Sequence, residues 1–297
     1  MLFMQYDAEY RACQHNSLAI LKEFGFGKRL MESRIAFEVA DCVERVRRTD
    51  GRSFDPDFVL MSSVVNVIFS ILFGTRMDSD GEKMARMHAI LHERVRRFCP
   101  ELNAVPALRF VPYFRRRWQR ACAIYAETCA FIHAEIADAL GDKTRESFTR
   151  SYVAVEPNLT KVNVLLCDLI TAGAETTATT LRWSLILLAN HQDVQARLQK
   201  EIDGVVPRGE RLPSLDDRPR LPYVESVIME VMRFKTLLPL SVPRRTMCDT
   251  EVGGYKIREN TAVGISFKLF RLVLRIRAIS EFADSECAPP ERVIKWS

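Results

Sequence analysis

The segment from Lys161 to Asn190 holds the residue types best suited to chemistry, and its centre reads AGAETTATT from position 172 to 180. Glycine costs about 1 kcal/mol relative to alanine in a helix interior, and β-branched threonine is also disfavoured there. One interpretation is a turn widened at Gly173, where a ligand approaches the backbone while the Thr176 hydroxyl and the Glu175 carboxylate pass protons. The other is a close helix crossing with small residues at the contact. The spacing leaves both interpretations open.

A carboxylate and a guanidinium stand three residues apart at Glu230 and Arg233, within the segment ESVIMEVMR from 225 to 233. On a helix they lie together, opposite a face of apolar residues. An exposed pair at this spacing contributes only about 0.2–1 kcal/mol to stability. Taken alone, the two residues are interpreted as a surface ion pair.

Two histidines, His88 and His92, share a helix face at the i,i+4 spacing that can suit a metal ion. The residues between them are Ala, Ile and Leu, and no third ligand is evident, so we interpret them as surface histidines. The eight cysteines include no C-x-x-C pair, which argues against a zinc ribbon or a thioredoxin-type site. We expect these thiols to be reduced and to face the cytosol. Gly25-x-Gly27 lacks the third glycine of a dinucleotide site.

Composition favours a globular chain. Of the 297 residues, 47% are hydrophobic, which is enough for a substantial core and argues against wholesale disorder. The net charge of +5 is mild, and the arginine-rich clusters at 94–97 and 115–120 lack a surrounding binding motif, so no nucleic-acid partner is expected. No apolar run reaches the ~18 residues of a membrane-spanning helix, and the first residues do not form a signal peptide. The sequence therefore predicts no membrane anchor.

Helical periodicity dominates the chain, which predicts a mainly α protein. An amphipathic helix is expected from Arg29 to Arg48, with an apolar face made by Ile35, Val39, Cys42, Val43 and Val46. Asp55-Pro56-Asp57 predicts the start of a helix that stops at Gly74. Further helices are expected over 80–97 and 115–140. The plausible strands are short, at 241–246 and 251–257, the second with a Gly-Gly turn at 253–254.

The segment 161–190 has no proline and predicts a helix about 45 Å long, enough to cross a domain. Its only four charges are spaced seven residues apart, at Lys161, Asp168, Glu175 and Arg182, so they form nearly one stripe. The other residues are mostly apolar or small, which indicates a buried helix. We therefore expect this polar stripe to face polar groups inside the core.

A series of motifs follows in a characteristic order along the chain. It consists of FGFGKR at 24–29, FDP at 54–56, NVIFSILFG at 66–74, AGAET at 172–176, E-x-x-R at 230–233, an apolar segment ending in proline at 237–243, RTMCD at 245–249 and VGGYKI at 252–257. The series resembles the cytochrome P450 family, in the animal microsomal branch that handles drugs, steroids and fatty acids. The resemblance covers about Tyr6 to Thr261. It implies a mainly α, incomplete cytochrome P450 fold, with a partial domain over 1–262 and a divergent tail over 263–297.

The resemblance implies roles for the residues of the long helix. Gly173, Glu175 and Thr176 match the oxygen-activation turn above the haem, where the threonine hydroxyl and its neighbouring acid deliver protons. Ala172 would touch the haem. Glu230 and Arg233 match a buried pair that locks the core behind the haem, which reverses their interpretation as a surface pair.

The resemblance also implies residues for the substrate and for the haem propionates. The substrate pocket would be lined by Leu169, Ala172, Leu237, Leu240 and Val242. Arg244 falls where the family places a side chain that contacts one haem propionate. Where relatives carry Trp-x-x-x-Arg to hold the other propionate, this chain has Tyr10 and Gln14. Gln14 is uncharged and cannot form the charge-assisted pair.

The cysteine loop of the family, Phe-x-x-Gly-x-Arg-x-Cys-x-Gly, is absent from the sequence. That loop supplies the thiolate that ligates haem iron. Cys287 stands in Ser-Glu-Cys-Ala-Pro-Pro without the glycine and arginine of the loop, so it is not expected to be the ligand. No metal ligand is assigned in this chain.

The implied function is a haem-thiolate monooxygenase that oxidises a small lipophilic substrate with O2. Its electrons would come from NADPH through a partner reductase, on the cytosolic face of the endoplasmic reticulum membrane, with an N-terminal anchor that this sequence lacks. Because the cysteine loop is missing, the chain is expected to be truncated and inactive as given. Two alternatives stay open: a non-catalytic fragment or pseudoenzyme, and a haem-free module that binds lipophilic molecules.

Overall fold

A computed structural model of the chain describes residues 4, 6–97, 99, 101–102, 105–242 and 244–267. The described part is mainly helical, as the sequence predicts. The α-helices are α1 (Ala8–Glu23), α2 (Arg29–Arg47), α3 (Pro56–Leu72), α4 (Glu82–Arg96), α5 (Pro112–Gly141), α6 (Phe148–Val155), α7 (Leu159–Asn190), α8 (Gln192–Val205) and α9 (Pro222–Phe234). Short 3-10 helices cover Pro106–Phe110 and Leu215–Arg220.

The strands follow the helices and are short. They are β1 (Arg244–Arg245), β2 (Thr250–Val252), β3 (Tyr255–Ile257) and β4 (Ala262–Val263). β2 and β3 form an antiparallel hairpin in which Val252 stands opposite Tyr255. The predicted Gly253-Gly254 turn joins them, with φ of 58° and 86°, values that favour glycine. β1 pairs with β4 in a second antiparallel pair, and it is shorter than the strand expected over 241–246.

Contacts divide the chain into two compact units, one up to Arg182 and the other from Trp183 onward, with the division inside α7. In the first unit, α2 packs on α3, α4 on α5, and α1 on α6. Its core is built from large apolar side chains that exclude water almost completely. They include Phe69, Phe73, Met84, Met87, Ile132, Phe148, Leu166 and Ile170.

The second unit has a smaller core. α9 packs against α8 there. The buried residues are Leu187, Val194, Val227 and Val231, surrounded by Trp183, Leu188, Leu198, Tyr223 and Phe234. The predicted boundary between residues 262 and 263 stays a prediction.

Both predicted ends of α3 are confirmed. The Asp55 carboxylate caps the helix by accepting a hydrogen bond from the Asp57 N–H at 2.9 Å, and Pro56 takes the first helical position. The helix stops before Gly74, whose φ is 66°. A Cβ at Gly74 would overlap the carbonyl oxygen of Glu146, so both the backbone conformation and the space require glycine there.

Helix α2 forms where the sequence predicts it, but its apolar face lies outside the core. Ile35, Val39, Val43 and Val46 are exposed, and Cys42 is half-buried. The buried side chains of α2 are instead charged, at Glu38 and Arg45. Periodicity located the helix correctly and did not identify the face that packs on α3.

The two buried charges of α2 have close partners. Glu38 accepts a 2.7 Å hydrogen bond from Nε of Arg76. Arg45 donates to the Ser62 hydroxyl at 2.6 Å and to the Asp80 carboxylate at 2.8 Å. Because a buried charge is tolerated only when it is paired and hydrogen-bonded, these partners explain how a charged face can be buried.

The 3-10 helix of the second unit is organised around one carboxylate. Asp217 is buried and accepts hydrogen bonds from Arg211 at 2.6 and 2.8 Å, and from the backbone and hydroxyl of Ser214 at 2.8 and 3.1 Å. Arg220 also contacts it. The hydrogen bonds from Arg211, then those from Ser214, hold the pKa of Asp217 well below its usual range of about 3.9.

A carboxyl group whose pKa is lowered by folding stabilises the fold above its unfolded pKa and loses that contribution as pH falls through the folded value. We therefore expect Asp217→Asn to lower the denaturant midpoint at pH 7 and to flatten the loss of stability on acidification below about pH 4. Denaturation followed by circular dichroism at pH 7 and pH 3 measures both effects. Asp203→Asn, in an exposed pair with Arg208, is the control. Identical pH dependence in Asp217→Asn and the unsubstituted chain would contradict the expectation.

Candidate functional site

The small residues of α7 lie where this helix passes α3. Helix α7 runs from Leu159 to Asn190, so the predicted long helix is confirmed. A Cβ placed on Gly173 would stand 2.9 Å from Cδ1 of Ile68. Ala174 and Ala178 are fully buried. This geometry favours the close helix crossing as the reason for glycine at position 173.

Glu175 is the residue of this segment with unused hydrogen-bonding capacity. Its Oε2 atom is buried and has no hydrogen-bond partner. Its Oε1 atom is 3.5 Å from the Thr179 hydroxyl, a weak contact. A buried carboxylate oxygen without a partner is costly to keep in a fold. Such an atom is typical of a position where a ligand, a water molecule or a proton is expected.

The Thr176 hydroxyl bonds to its own helix. It donates to the carbonyl of Ala172 at 2.7 Å. Thr171 and Thr180 make the same i−4 bond, to Cys167 at 2.7 Å and to Thr176 at 2.9 Å. This pattern is common for threonine within helices. Thr176 follows Glu175 in the chain, but its hydroxyl is turned to the backbone of its own helix.

The charged stripe of α7 meets polar partners at both of its ends. Lys161 pairs with Glu9 at 2.6 Å. Arg182 contacts Oδ1 of Asp57. The expectation that the stripe faces polar groups inside the core is confirmed at Arg182, which is 29% exposed beside Asp57. It is wrong at Lys161, because Lys161 and Glu9 are 51% and 55% exposed and lie at the surface.

The expectation that His88 and His92 of α4 are surface histidines without a third partner is wrong. His88 and His92 are half-buried, and both approach the carboxylate of Asp57, at 3.2 and 2.7 Å. Asp57 lies more than thirty residues away in the chain, at the start of another helix. Residue spacing within one helix cannot reveal a partner on another helix. The two residues are therefore not free surface histidines.

Glu230 and Arg233 form a pair on α9 that is buried on one side only. Nε of Arg233 donates to Oε2 of Glu230 at 2.6 Å, and a second contact joins their other polar atoms. The Glu230 side chain is 5% exposed, whereas that of Arg233 is 49% exposed. The hydrogen bond that Arg233 donates to the Glu230 carboxylate raises the pKa of Arg233. Neither the surface pair nor the fully buried pair describes this arrangement completely.

The residues proposed for the propionates lie in different units. Tyr10 and Gln14 are one turn apart on α1 in the first unit, with Tyr10 half-buried and Gln14 exposed. Arg244 is exposed in β1 of the second unit. Among the described residues no carboxylate pairs with Arg244, so its guanidinium is available to an anion.

The residues proposed for the substrate pocket are likewise divided. In the first unit, Leu169 is half-buried and Ala172 is exposed on α7. In the second unit, Leu237, Leu240 and Val242 are exposed. A cavity of about 170 Å³ in the first unit has a different lining, made by Cys129, His133, Leu159, Thr160, Asn163 and Val164. The pocket residues are therefore not gathered around that cavity.

Two further predictions concern the membrane anchor and Cys287. Within the described residues, every helix is too short or too polar to cross a bilayer. Cys287 and most of the predicted tail lie outside the described residues. The role of Cys287 stays a prediction.

Comparison with known proteins identifies relatives of the whole described region. The family model "Cytochrome P450" matches residues 1–270. Cytochrome P450 2C55 of Rattus norvegicus is 32% identical over 272 residues, covering 85% of this chain and 54% of that protein. Cytochrome P450 2F2 of Rattus norvegicus is 34% identical over 262 residues, covering 83% of this chain and 53% of that protein. Cytochrome P450 2D10 of Rattus norvegicus is 32% identical over 292 residues, covering 90% of this chain and 56% of that protein. The chain spans about half the length of these relatives.

Proposed function

Because the chain belongs to the cytochrome P450 family, we propose that it forms the wall of a haem-thiolate monooxygenase on the side where oxygen and substrate bind. The substrate would be a small lipophilic molecule, and the electrons would come from NADPH through a partner reductase at the cytosolic face of the endoplasmic reticulum. The chain spans about half the length of its relatives, so the substrate, the reductase and the location are proposed for the complete protein. The observation that carries it is the buried, unpartnered Oε2 atom of Glu175.

The described residues fit the oxygen side of a haem site in two respects. The unpartnered carboxylate oxygen of Glu175 can hold or pass a proton. Arg244 is exposed and unpaired among the described residues, as a propionate-binding cation needs to be. Haem, when bound with a cysteine thiolate, supplies the oxidising chemistry that no side chain of this protein provides.

We propose the following roles for the individual residues. Glu175 and Thr176 move protons, and Gly173 allows α7 to lie close to α3 so that both residues keep their place. Tyr10, Gln14, Ala172 and Arg244 would contact the haem. Leu169, Ala172, Leu237, Leu240 and Val242 would exclude water from the substrate, since apolar side chains are what a lipophilic substrate contacts. Gln14 offers hydrogen bonding without charge, so the grip on one propionate is weaker than in a relative with arginine there.

We expect Thr176→Val to reduce the product formed per NADPH consumed and to raise peroxide release. The substitution removes the hydroxyl of the residue that follows Glu175 in the chain and keeps the shape of the side chain, so protons reach the reaction less often. The measurement is made on a longer version of the chain that carries the family's cysteine loop, joined to a reductase. NADPH consumption, product and peroxide are counted in the same reaction. A loss of coupling of about tenfold or more would match the usual contribution of proton transfer.

Thr180→Val is the matched control, because Thr180 makes the same i−4 bond one turn further along α7. It is expected to leave coupling unchanged. Equal coupling in Thr176→Val and the unsubstituted protein would show that Thr176 has only a packing role. Glu175→Gln tests in the same assay whether the unpartnered carboxylate oxygen of Glu175 takes part in proton transfer. Full coupling in that variant would remove the main support for the proposal.

A further inference from the structure

Two histidines with no part in the proposed haem site meet a buried carboxylate from another helix. Nε2 of His88 lies 3.2 Å from Oδ2 of Asp57, and Nε2 of His92 lies 2.7 Å from the same oxygen. One ligand atom from each of the three residues lies within 4.8 Å of the others. We propose that Asp57, His88 and His92 bind a divalent transition-metal ion of the zinc class.

The helices hold the three side chains in place. His88 and His92 project from successive turns of α4, the spacing at which two imidazoles on one helix face bind a single ion. Asp57 is in the first turn of α3, which packs against α4. The rings of Phe58 and His88 pack in a T-shaped arrangement, with 5.1 Å between centroids. The ligands therefore come from two packed helices, which makes the site preformed.

Two of the three ligand separations suit a small ion after a modest adjustment, and the third, between the two histidines, is at most 4.8 Å. Zinc lies about 2.0–2.2 Å from nitrogen and oxygen ligands, so two ligands of a tetrahedral ion are about 3.3 Å apart. The 3.2 Å separation of Asp57 and His88 already matches this value, and the 2.7 Å separation of Asp57 and His92 must open slightly. The side chains of His88 and His92 are 21% and 35% exposed. The solvent side thus leaves room for a water molecule as the fourth ligand.

The ligand set selects among metals. Two imidazole nitrogens and one carboxylate oxygen favour zinc, cobalt, nickel or copper over magnesium and calcium, which prefer oxygen alone. Oδ2 of Asp57 faces both imidazole rings and is placed to supply the oxygen ligand.

Arg182 affects the site in two opposing ways. Its guanidinium contacts Oδ1 of Asp57 and leaves Oδ2 directed to the histidines. A hydrogen bond to the far oxygen orients a ligating carboxylate, as outer contacts in metal sites usually do. The positive charge also repels a cation, so we expect weaker binding than in a site without this arginine. An ion there would join α3 to α4, and through Arg182 to α7.

Titration of the metal-free 297-residue chain with Zn²⁺, and separately with Co²⁺ as a visible probe, tests the proposal. We expect one equivalent of each ion to bind, the unfolding temperature to rise, and Mg²⁺ at the same concentration to have no effect. His88→Ala, His92→Ala and Asp57→Asn should each weaken binding by at least about tenfold. His15→Ala is the control, because His15 is exposed on α1, and it should bind as the unsubstituted chain does. Far-UV circular dichroism checks that each variant keeps its helices.

Three results would overturn the proposal. The first is the absence of saturable binding of Zn²⁺ or Co²⁺ to the unsubstituted chain. The second is unchanged affinity and stoichiometry in the double variant His88→Ala/His92→Ala. The third is a Co²⁺ spectrum with thiolate charge-transfer bands, which would assign the ion to cysteines and requires no variant. Because no readout involves haem, failure here is distinct from failure of the monooxygenase proposal.

Discussion

Arg233→Ala is expected to lower the free energy of unfolding by about 2–3 kcal/mol, between the values for exposed and fully buried ion pairs. The substitution strands the carboxylate of Glu230, which is only 5% exposed and loses both of its contacts with the guanidinium. The effect is smaller than that of a fully buried pair because water can enter through the exposed side of Arg233. Urea denaturation followed by circular dichroism measures the change.

The reverse substitution should have a smaller effect. Glu230→Ala leaves Arg233 without its partner, but a guanidinium that is half exposed is hydrated by water. Arg208→Ala is the control, since Arg208 pairs with Asp203 at an exposed position and should change stability by less than about 1 kcal/mol. If Arg233→Ala resembles Arg208→Ala, Glu230 and Arg233 are an ordinary surface pair. The double variant gives their coupling energy directly.

The 297-residue chain expressed by itself is expected to show no thiolate-type band after haem addition, reduction and exposure to carbon monoxide. The sequence contains no Phe-x-x-Gly-x-Arg-x-Cys-x-Gly loop, and a thiolate must ligate the iron to produce that band. We expect the band to be absent rather than weakened. Monooxygenase activity is measured separately, as NADPH consumption and product formation with a reductase, and we also expect it to be absent.

The control is a longer version of the chain that carries the cysteine loop, in which the band should appear. Both proteins are measured in mild detergent, because α7 exposes Leu181, Leu185 and Ile186, and apolar surface of this kind favours association. A band from the 297-residue chain that disappears in Cys287→Ser would make Cys287 the ligand and reverse the expectation. Lipophile binding without haem absorbance would support a haem-free binding module instead.

The sequence by itself determined the helical fold class, the positions of the main helices and the family. These features depend on patterns that are local in the chain. Asp55-Pro56 predicts the start of α3, Gly74 its end, and an uninterrupted run without proline predicts α7. The family follows from the order of motifs along the chain, which needs no knowledge of their arrangement in space. Roles for Gly173, Glu175 and Thr176 follow from the resemblance and stay predictions.

Only the tertiary structure decided which surfaces meet. The apolar face of α2 is exposed while Glu38 and Arg45 are buried, because residues 62, 76 and 80 supply polar partners that α2 itself does not contain. Asp57 likewise meets two histidines that lie on a different helix, α4, and not on its own helix. Helical periodicity fixes the direction of each side chain around its own axis. The burial of that side chain depends on another segment, distant in sequence, whose position is set by packing of the whole core.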